Sequence, residues 1–380
     1  MKRIAILGAT GSVGTNALRL IADRQDRFAV AALSAQSSLD LLVEQANRFT
    51  PTAIALAGDA RRPAGLAAKT AFCTGADGVI EALETSRPDL VLNAITGAAG
   101  LRASEWTVRK GLTLALANKE SMVMAGPYLM ELARASGSTI LPVDSEHCAI
   151  FQCLAGEELR KVRRIYLTAS GGPFRTLPRA EFAQITPKQA LQHPTWNMGP
   201  RITVGSATLM NKAFEILEAR WLFGLEPEQI RVVVHPQSIV HSMVEFVDGS
   251  MLAQLGLPDM RVPILYCLAW PERIPFDFEP FDPTRFAALN FEEVDTERFP
   301  SIPLAFETLA MGGTSGAVLN AADEVMTGLF LDDLVPFEAI TKTVTAVVRE
   351  HAVTPIEDLS QVLAADRSAR ANTKTLTATP

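Results

Sequence analysis

Cysteine is scarce in this 380-residue chain: four residues, Cys73, Cys148, Cys153 and Cys267, with no CxxC pair. That excludes the even cysteine framework of a small secreted domain and favours a reducing compartment, which makes the cytoplasm the expected location. An excess of basic charge is also missing. With 35 Lys and Arg against 42 Asp and Glu, the formal net charge is −7. This argues against non-specific nucleic-acid binding and leaves room for a local basic pocket that holds a phosphorylated small molecule. No apolar run approaches the roughly 18 residues that suggest a membrane span. The start, MKRIAIL, is apolar only over Ile4–Leu7 before Gly8, so it reads as a first strand rather than a signal peptide. Internal repeats and low-complexity blocks are absent. What remains is an ordinary globular composition, 48% hydrophobic, long enough for two or three domains.

From Arg3 to about Pro142, the short apolar runs IAIL, FAVAAL, TAIALA, LVLNAI, LTLALA and TIL alternate with helical patterns such as LRLIADR and LDLLVEQAN. This rhythm predicts an α/β region over 1–143, a Rossmann-like doubly wound parallel sheet whose strands are covered on both faces. After Ser145 the pattern changes. RRIYLTAS and VVVHPQSIVHSMVEFVDGSMLAQL read as strands of an α+β region over 144–270, with a hairpin turning at Asp248–Ser250 and the helix ATLMNKAFEILEARWLF between them. The proline-rich stretch WPERIPFDFEPFDPTRF predicts a linker over 271–300. Helical periodicity over 301–380 predicts a helical domain, with the polar end ADRSARANTKTLTATP frayed.

GATGSVG, Gly8–Gly14, follows a strand and opens a helix, the context in which a glycine-rich turn brings backbone N–H groups to a pyrophosphate. The alternative is a strand-to-helix turn without a ligand. The acid expected about 20 residues on, to bind a ribose diol, is missing: the place reads LSAQSS, Leu33–Ser38. Its absence favours NADP over NAD. Gln36, Ser37 and Ser38 are candidates for the 2′-phosphate, with Arg61 or Arg62 from a later loop.

VDSEH, Val143–His147, sets Asp144 and Glu146 two residues apart, so an extended segment points both carboxylates to one face. Like charges held together need a cation between them, and an oxygen-seeking ion such as Mg²⁺ or Mn²⁺ is one solution. A helix start, with Asp144 as cap and Glu146 in the first turn, is the other. In SATLMNKAFE, a helix puts Asn211 and Glu215 on one face at i and i+4, with Lys212 beside Glu215 at i and i+3. Ser206 near that helix N-terminus, Asn211 and Lys212 form a possible phosphate cradle, and Glu215 is a third carboxylate. An ordinary surface salt bridge is the plain alternative.

The long Gly- and Pro-rich stretch ASGGPFRTLPRAEFAQITPKQALQHPTWNMGPR carries His193 and Trp196 and reads either as a lid or as a surface loop. His235, His241 and His147 read as structural. His147 with Cys148 and Cys153 has poor spacing for zinc and lacks a fourth ligand.

Taken together and in order, GATGSVG, ALANKES, VDSEH, ASGGPF, HPTWNMG, SATLMNKAFE and HPQSIVHSMVEFVDGSMLAQLG resemble the 1-deoxy-D-xylulose 5-phosphate reductoisomerase family, from Met1 through LNAADE at Leu319–Glu324. The resemblance implies a homodimeric NADPH enzyme requiring Mg²⁺, Mn²⁺ or Co²⁺. It would rearrange 1-deoxy-D-xylulose 5-phosphate and reduce the aldehyde to 2-C-methyl-D-erythritol 4-phosphate in the non-mevalonate isoprenoid route. It assigns NADPH binding to 1–143 and catalysis and dimerisation to 144–270. Asp144, Glu146 and Glu215 would ligate metal, with Lys119, Glu146, Lys212 and Glu215 as the catalytic set. Lys119 and Ser145 would touch the substrate; Ser170, His193, Ser206, Asn211 and Lys212 would hold its phosphate end. Thr10, Gly11, Ser12, Val13, Gln36, Asn118, Glu120 and Gly199 would line NADPH, and Trp196 would sit on the lid. Two departures from the usual pattern stand out: Gln36–Ser38, which normally include a basic residue, and Gly205, normally Asp. Rival readings are another NAD(P)-dependent dehydrogenase of a small phosphorylated or semialdehyde substrate, separable by metal dependence, and a non-enzymatic nucleotide-binding protein.

Overall fold

The computed structural model describes residues 1–196, 198–286 and 288–378. Asn197, inside HPTWNMG, and the end of the polar tail at Thr379–Pro380 lie outside the described residues. The chain divides into two compact units, Met1–Asn118, Leu129–Ser145 and Asp259–Phe276 in the first, and Lys119–Tyr128, Glu146–Pro258 and Asp277–Pro380 in the second.

The first unit runs β1 (Lys2–Leu7), α1 (Ser12–Ala22), β2 (Phe28–Ala35), α2 (Leu39–Phe49), β3 (Ala53–Leu56), β4 (Ala71–Thr74), α3 (Gly78–Ser86), β5 (Leu90–Asn93), α4 (Leu101–Arg109), β6 (Thr113–Leu116), α5 (Lys119–Ser136, its end in this unit) and β7 (Ile140–Pro142). The strands pair in parallel in the order β4-β3-β2-β1-β5-β6-β7, the expected doubly wound sheet. Ile4, Ile6, Leu90 and Leu92 are fully buried, which is why these runs are almost continuously apolar. β4 and α3 escaped the sequence reading because AFCT is four residues long and only partly buried, too short for an apolar signal. Helix α5 breaks at Ala125 (φ −142°), just before Pro127, where proline removes a backbone donor.

The second unit contains α6 (Ser145–Cys153), β8 (Val162–Ala169), α7 (Pro187–Ala190), α8 (Pro200–Ala207), α9 (Met210–Phe223), β9 (Ile230–Val234), β10 (Val240–Phe246) and β11 (Met251–Leu255). Then α10 (Arg261–Ala269) returns to the first unit, and β12 (Glu292–Glu293), α11 (Ser301–Met311), α12 (Ser315–Leu331), α13 (Phe337–Arg349) and α14 (Leu359–Ala378) complete the second. Its sheet has the order β11-β10-β8-β9-β12, with β10 and β11 forming the expected antiparallel hairpin around Asp248–Ser250.

Three expectations need correction here. ATLMNKAFEILEARWLF is two helices, because Leu209 takes a left-handed conformation (φ 55°) between α8 and α9; its buried side chain holds a backbone that costs roughly 1 kcal/mol or more. Within the proline-rich stretch and its continuation, β12 adds an antiparallel edge strand to β9. The polar tail is helical to Ala378: Val362, Asp366, Ala369 and Thr373 form a buried stripe at helical spacing, but one built from small and polar residues that composition hides.

Candidate active site

In the first unit the strand order reverses between β1 and β5, which opens a crevice outside their carboxyl ends. GATGSVG lies there, leaving β1 at Leu7 and entering α1 at Ser12. A Cβ on Gly14 would sit 2.3 Å from the Gly8 carbonyl oxygen and 2.6 Å from Ala9 Cα, so only glycine lets α1 approach the turn. Gly11 and Ser12 are exposed, Thr10 and Val13 half-buried, and the first turn of α1 carries neither an acidic residue nor a side-chain cap bond. The helix thus presents its first N–H groups and positive dipole end to an anion.

Two residues that the sequence reading passed over hold this turn. Ser34 accepts from Gly8 N through Oγ at 3.1 Å and from Ala9 N through its carbonyl at 2.7 Å. Gln45, buried on α2, donates to the Ala9 carbonyl at 3.0 Å. The available signal was polarity inside apolar patterns. Asn118 donates its amide to the carbonyls of Ile95 at 2.7 Å and Gly97 at 2.9 Å, and so shapes the loop after β5. Gln36, Ser37 and Ser38 are exposed just beyond β2. Arg62 binds the carbonyls of Thr70 and Ala67, both at 2.8 Å, and is thereby committed to its own loop; Arg61 is exposed.

In the second unit α9 is buried on nearly every side, with Lys212, Glu215 and Glu218 among its buried residues. Charges so placed must be paired. Glu215, 1% exposed, receives Asn211 Nδ2 at 2.7 Å and Lys119 Nζ at 3.3 Å on Oε1, while Lys212 donates to Oε2. Lys212 also donates to Glu146 Oε1 at 3.0 Å. Lys119 donates to Asn211 Oδ1 at 2.8 Å. Two lysines and two carboxylates thus interlock across α5, α6 and α9. Of the two readings of VDSEH, the helix start holds: α6 begins at Ser145, so Glu146 lies in its first turn and Asp144 directly precedes the helix, not on one face of an extended segment. The counter-charge for Glu146 comes from Lys212. The donor set nonetheless suits an oxygen-seeking divalent ion, since Glu146 and Glu215 converge on one ammonium and Asp144 is a further carboxylate next in the chain.

His147, fully buried, has Nε2 3.0 Å from the Glu215 carbonyl oxygen and Nδ1 3.4 Å from Glu218 Oε2. It therefore fixes the α9 turn that carries Glu215, a role that sequence alone left unassigned. His235 is structural in the same way, with Nδ1 2.8 Å from the Asn290 carbonyl oxygen and Ile239 N donating to Nε2 at 3.1 Å.

A third group gathers at the ends of the long Gly- and Pro-rich stretch. His193 Nε2 lies 3.0 Å from Ser170 Oγ and 3.1 Å from Ser206 Oγ. Its Nδ1 accepts from Thr195 N at 3.1 Å and Trp196 N at 2.9 Å, so the proton resides on Nε2. Burial lowers the pKa of His193 below its usual value. Ser206 is in the last turn of α8 rather than at the N-terminus of α9, as the break at Leu209 requires. A Cβ on Gly172 (φ 67°) would come within 2.6 Å of the Ser206 carbonyl oxygen, so ASGG must be glycine there to approach. Gly205 has room for a side chain, its nearest neighbour being Asn211 N at 3.5 Å from the Cβ position. The Trp196 indole is 6.2 Å from the His241 ring. Gly199 caps α8, and Glu120 pairs with Arg201 at 2.9 Å.

A crevice and glycine turn suited to a dinucleotide, with a separate array of buried lysines, carboxylates and hydroxyls, define a nucleotide-dependent α/β enzyme. The sequence matches 1-deoxy-D-xylulose 5-phosphate reductoisomerase over residues 4–126, its C-terminal domain over 140–223, and the DXP reductoisomerase C-terminal domain over 255–372. It is 48% identical over 375 residues to the 1-deoxy-D-xylulose 5-phosphate reductoisomerase of Anaeromyxobacter sp. strain K, covering 97% of this chain and 96% of that one. The enzyme of Chlorobaculum tepidum is 46% identical over 381 residues, 99% and 100% of the two chains. Among solved structures, the enzyme of Zymomonas mobilis in complex with NADPH superposes over 100% of both chains with a TM-score of 0.92 and 42% identity. A DOX-P reductoisomerase in complex with NADPH, fosmidomycin and magnesium does so over 99% of both, at 0.91 and 36%. The chain belongs to the 1-deoxy-D-xylulose 5-phosphate reductoisomerase family.

Proposed function

We infer that the chain converts 1-deoxy-D-xylulose 5-phosphate to 2-C-methyl-D-erythritol 4-phosphate with NADPH and a divalent cation. The observation that carries this, with family membership along the whole chain, is the buried array of Lys119, Lys212, Glu146 and Glu215. We assign NADPH to 1–143, with Thr10–Val13 at the pyrophosphate and Gln36 near the 2′-phosphate. Catalysis and dimer contacts go to 144–270, followed by a linker, 271–300, and a supporting helical region, 301–380.

Asp144, Glu146 and Glu215 would hold the cation. When bound, it supplies Lewis-acid polarisation of the ketone oxygen. Lys119 and Lys212, desolvated beside the carboxylates, stabilise negative charge that develops on oxygen as the carbon skeleton is cleaved and rejoined. Ser170 and Ser206 both face the Nε2–H of His193, so their own hydroxyl protons can turn to a phosphate; Asn211 and Lys212 would complete that place, and Ser145 would touch the sugar. Anchoring the phosphate restrains a small, flexible substrate. Trp196, on the lid, would exclude water from the aldehyde before hydride reaches it.

The test is NADPH oxidation, followed at 340 nm, with the purified protein and 1-deoxy-D-xylulose 5-phosphate. Turnover should vanish on chelation, return with Mn²⁺ and be weaker with NADH. No oxidation at all refutes the activity, and full turnover after chelation refutes the metal role.

We also propose a cytoplasmic homodimer. All four cysteines are buried and none is in a disulfide, which suits a reducing compartment, and no helix among the described residues is long and apolar enough to cross a membrane. β11 is an edge strand with exposed Met251, Leu252 and Leu255, a surface that a second copy would cover by a two-fold contact. Leu252→Lys should shift the mass seen by light scattering from dimer toward monomer; a wild-type protein that runs as a monomer refutes the proposal.

A further inference from the structure

Arg201 lies in the first turn of α8, as the last residue of the Gly- and Pro-rich stretch, with a side chain only 19% exposed. Its Nη1 donates to Glu120 at 2.9 Å and Glu324 at 2.7 Å; its Nη2 donates to Asn320 at 2.9 Å and lies 3.6 Å from Asp323. One guanidinium thus ties three elements: α8, which carries Ser206; the start of α5, which carries Lys119; and α12. The platform is rigid. A Cβ on Gly316 of α12 would fall 2.0 Å from the Val123 carbonyl oxygen of α5, so these two backbones are in direct contact. Arg370 of α14 pairs with Glu324 and Asp366, which holds Glu324 from its far side. Burial works against the charge of Arg201, yet Glu120, Asp323 and Glu324 together keep its pKa above the usual value. Burial pushes Asp323 up to about 6.

Such a node is costly to bury and serves poorly as a mere stabiliser, because apolar residues would fill the space at less expense. Its planar, multiply bonded geometry instead fixes the relative placement of the helices it joins. We propose that Arg201, held by Asn320 and Glu324 of α12, is a positioning residue that sets Lys119 and Ser206 for the substrate. The inference rests on the reading of Lys119 and Ser206 as substrate groups. It gives the helical region a direct part in turnover.

The experiment is a double-mutant cycle on kcat/KM for 1-deoxy-D-xylulose 5-phosphate in the full-length enzyme, with KM for NADPH measured alongside. Arg201→Met should lower kcat/KM by about 30-fold, as a misplacement of about an ångström at the reacting groups would; KM for NADPH shows how much of the loss passes through Glu120, which Arg201 also holds. Arg201→Lys should recover part of the loss. In a Lys119→Gln background, the effect of Arg201→Met should shrink severalfold, because the group it positions is gone. Should Arg201→Met not fold, Asn320→Ala, which removes one acceptor, takes its place in the cycle. Additive effects, or a lowered melting temperature with unchanged kcat/KM, overturn the proposal. If Lys119→Gln alone has no effect, the reading of Lys119 fails instead, and the two failures are thereby distinguished.

Discussion

Glu215→Gln should lower kcat by about 10³-fold or more while the protein still folds. The carboxylate sits at 1% exposure and is the common acceptor for Lys119, Lys212 and Asn211. An amide keeps the volume and one acceptor oxygen but removes the charge, which leaves two desolvated ammonium groups facing a neutral side chain and takes away a carboxylate for the cation. Losing one partner of a buried charged set costs about 3 kcal/mol, a drop in melting temperature that a chain of this size should survive. The catalytic loss should be larger, because preorganised charge at the reacting oxygens is worth more during the reaction than at rest. NADPH oxidation, Mn²⁺ titration and thermal unfolding on the same preparation check this. A variant within tenfold of wild type, with unaltered Mn²⁺ response, would remove Glu215 from the site.

His193→Phe should lower kcat/KM for the sugar phosphate by about 100-fold, and the wild-type enzyme should lose kcat/KM on the acid side tenfold per pH unit. The reason is the fixed tautomer. Nδ1 accepts two backbone N–H groups, from Thr195 and Trp196, while Nε2–H faces Ser170 and Ser206. Protonating Nδ1 displaces both backbone donors and reopens the turn before Trp196. Because burial lowers the pKa in the folded state, the stabilising contribution is present above the unfolded value near 6.5 and is lost as pH falls through the lower, folded one. The acid limb should therefore lie below the usual histidine range. A pH profile of kcat/KM is the measurement; an identical acid limb in His193→Phe would show that another group sets it.

Much of this protein can be read from the order of its residues. Strands buried on both faces must be apolar throughout, so IAIL and LVLNAI announced the parallel sheet, and alternation around Asp248–Ser250 announced the hairpin. Glycine at 14 was legible because a backbone contact of this closeness leaves no alternative. Elements whose buried stripe is made of Ala, Thr and Asp, such as α14, carried no such signature. Neither did the break at Leu209, a conformation that local preference opposes and that packing imposes.

By itself the sequence determined the doubly wound sheet, the dinucleotide turn and the identity of the carboxylates, lysines and hydroxyls available for chemistry. It could not decide what balances them. Only the tertiary structure brought Lys119 from α5 onto Glu215 and Glu146 from α6 onto Lys212, set His147 beneath the same helix, and enclosed Arg201 among Glu120, Asn320 and Glu324. The physical reason is that apolar periodicity is a local property written into neighbouring residues, whereas a buried charge is tolerated only with partners, and here those lie 96 and 81 positions away in the chain.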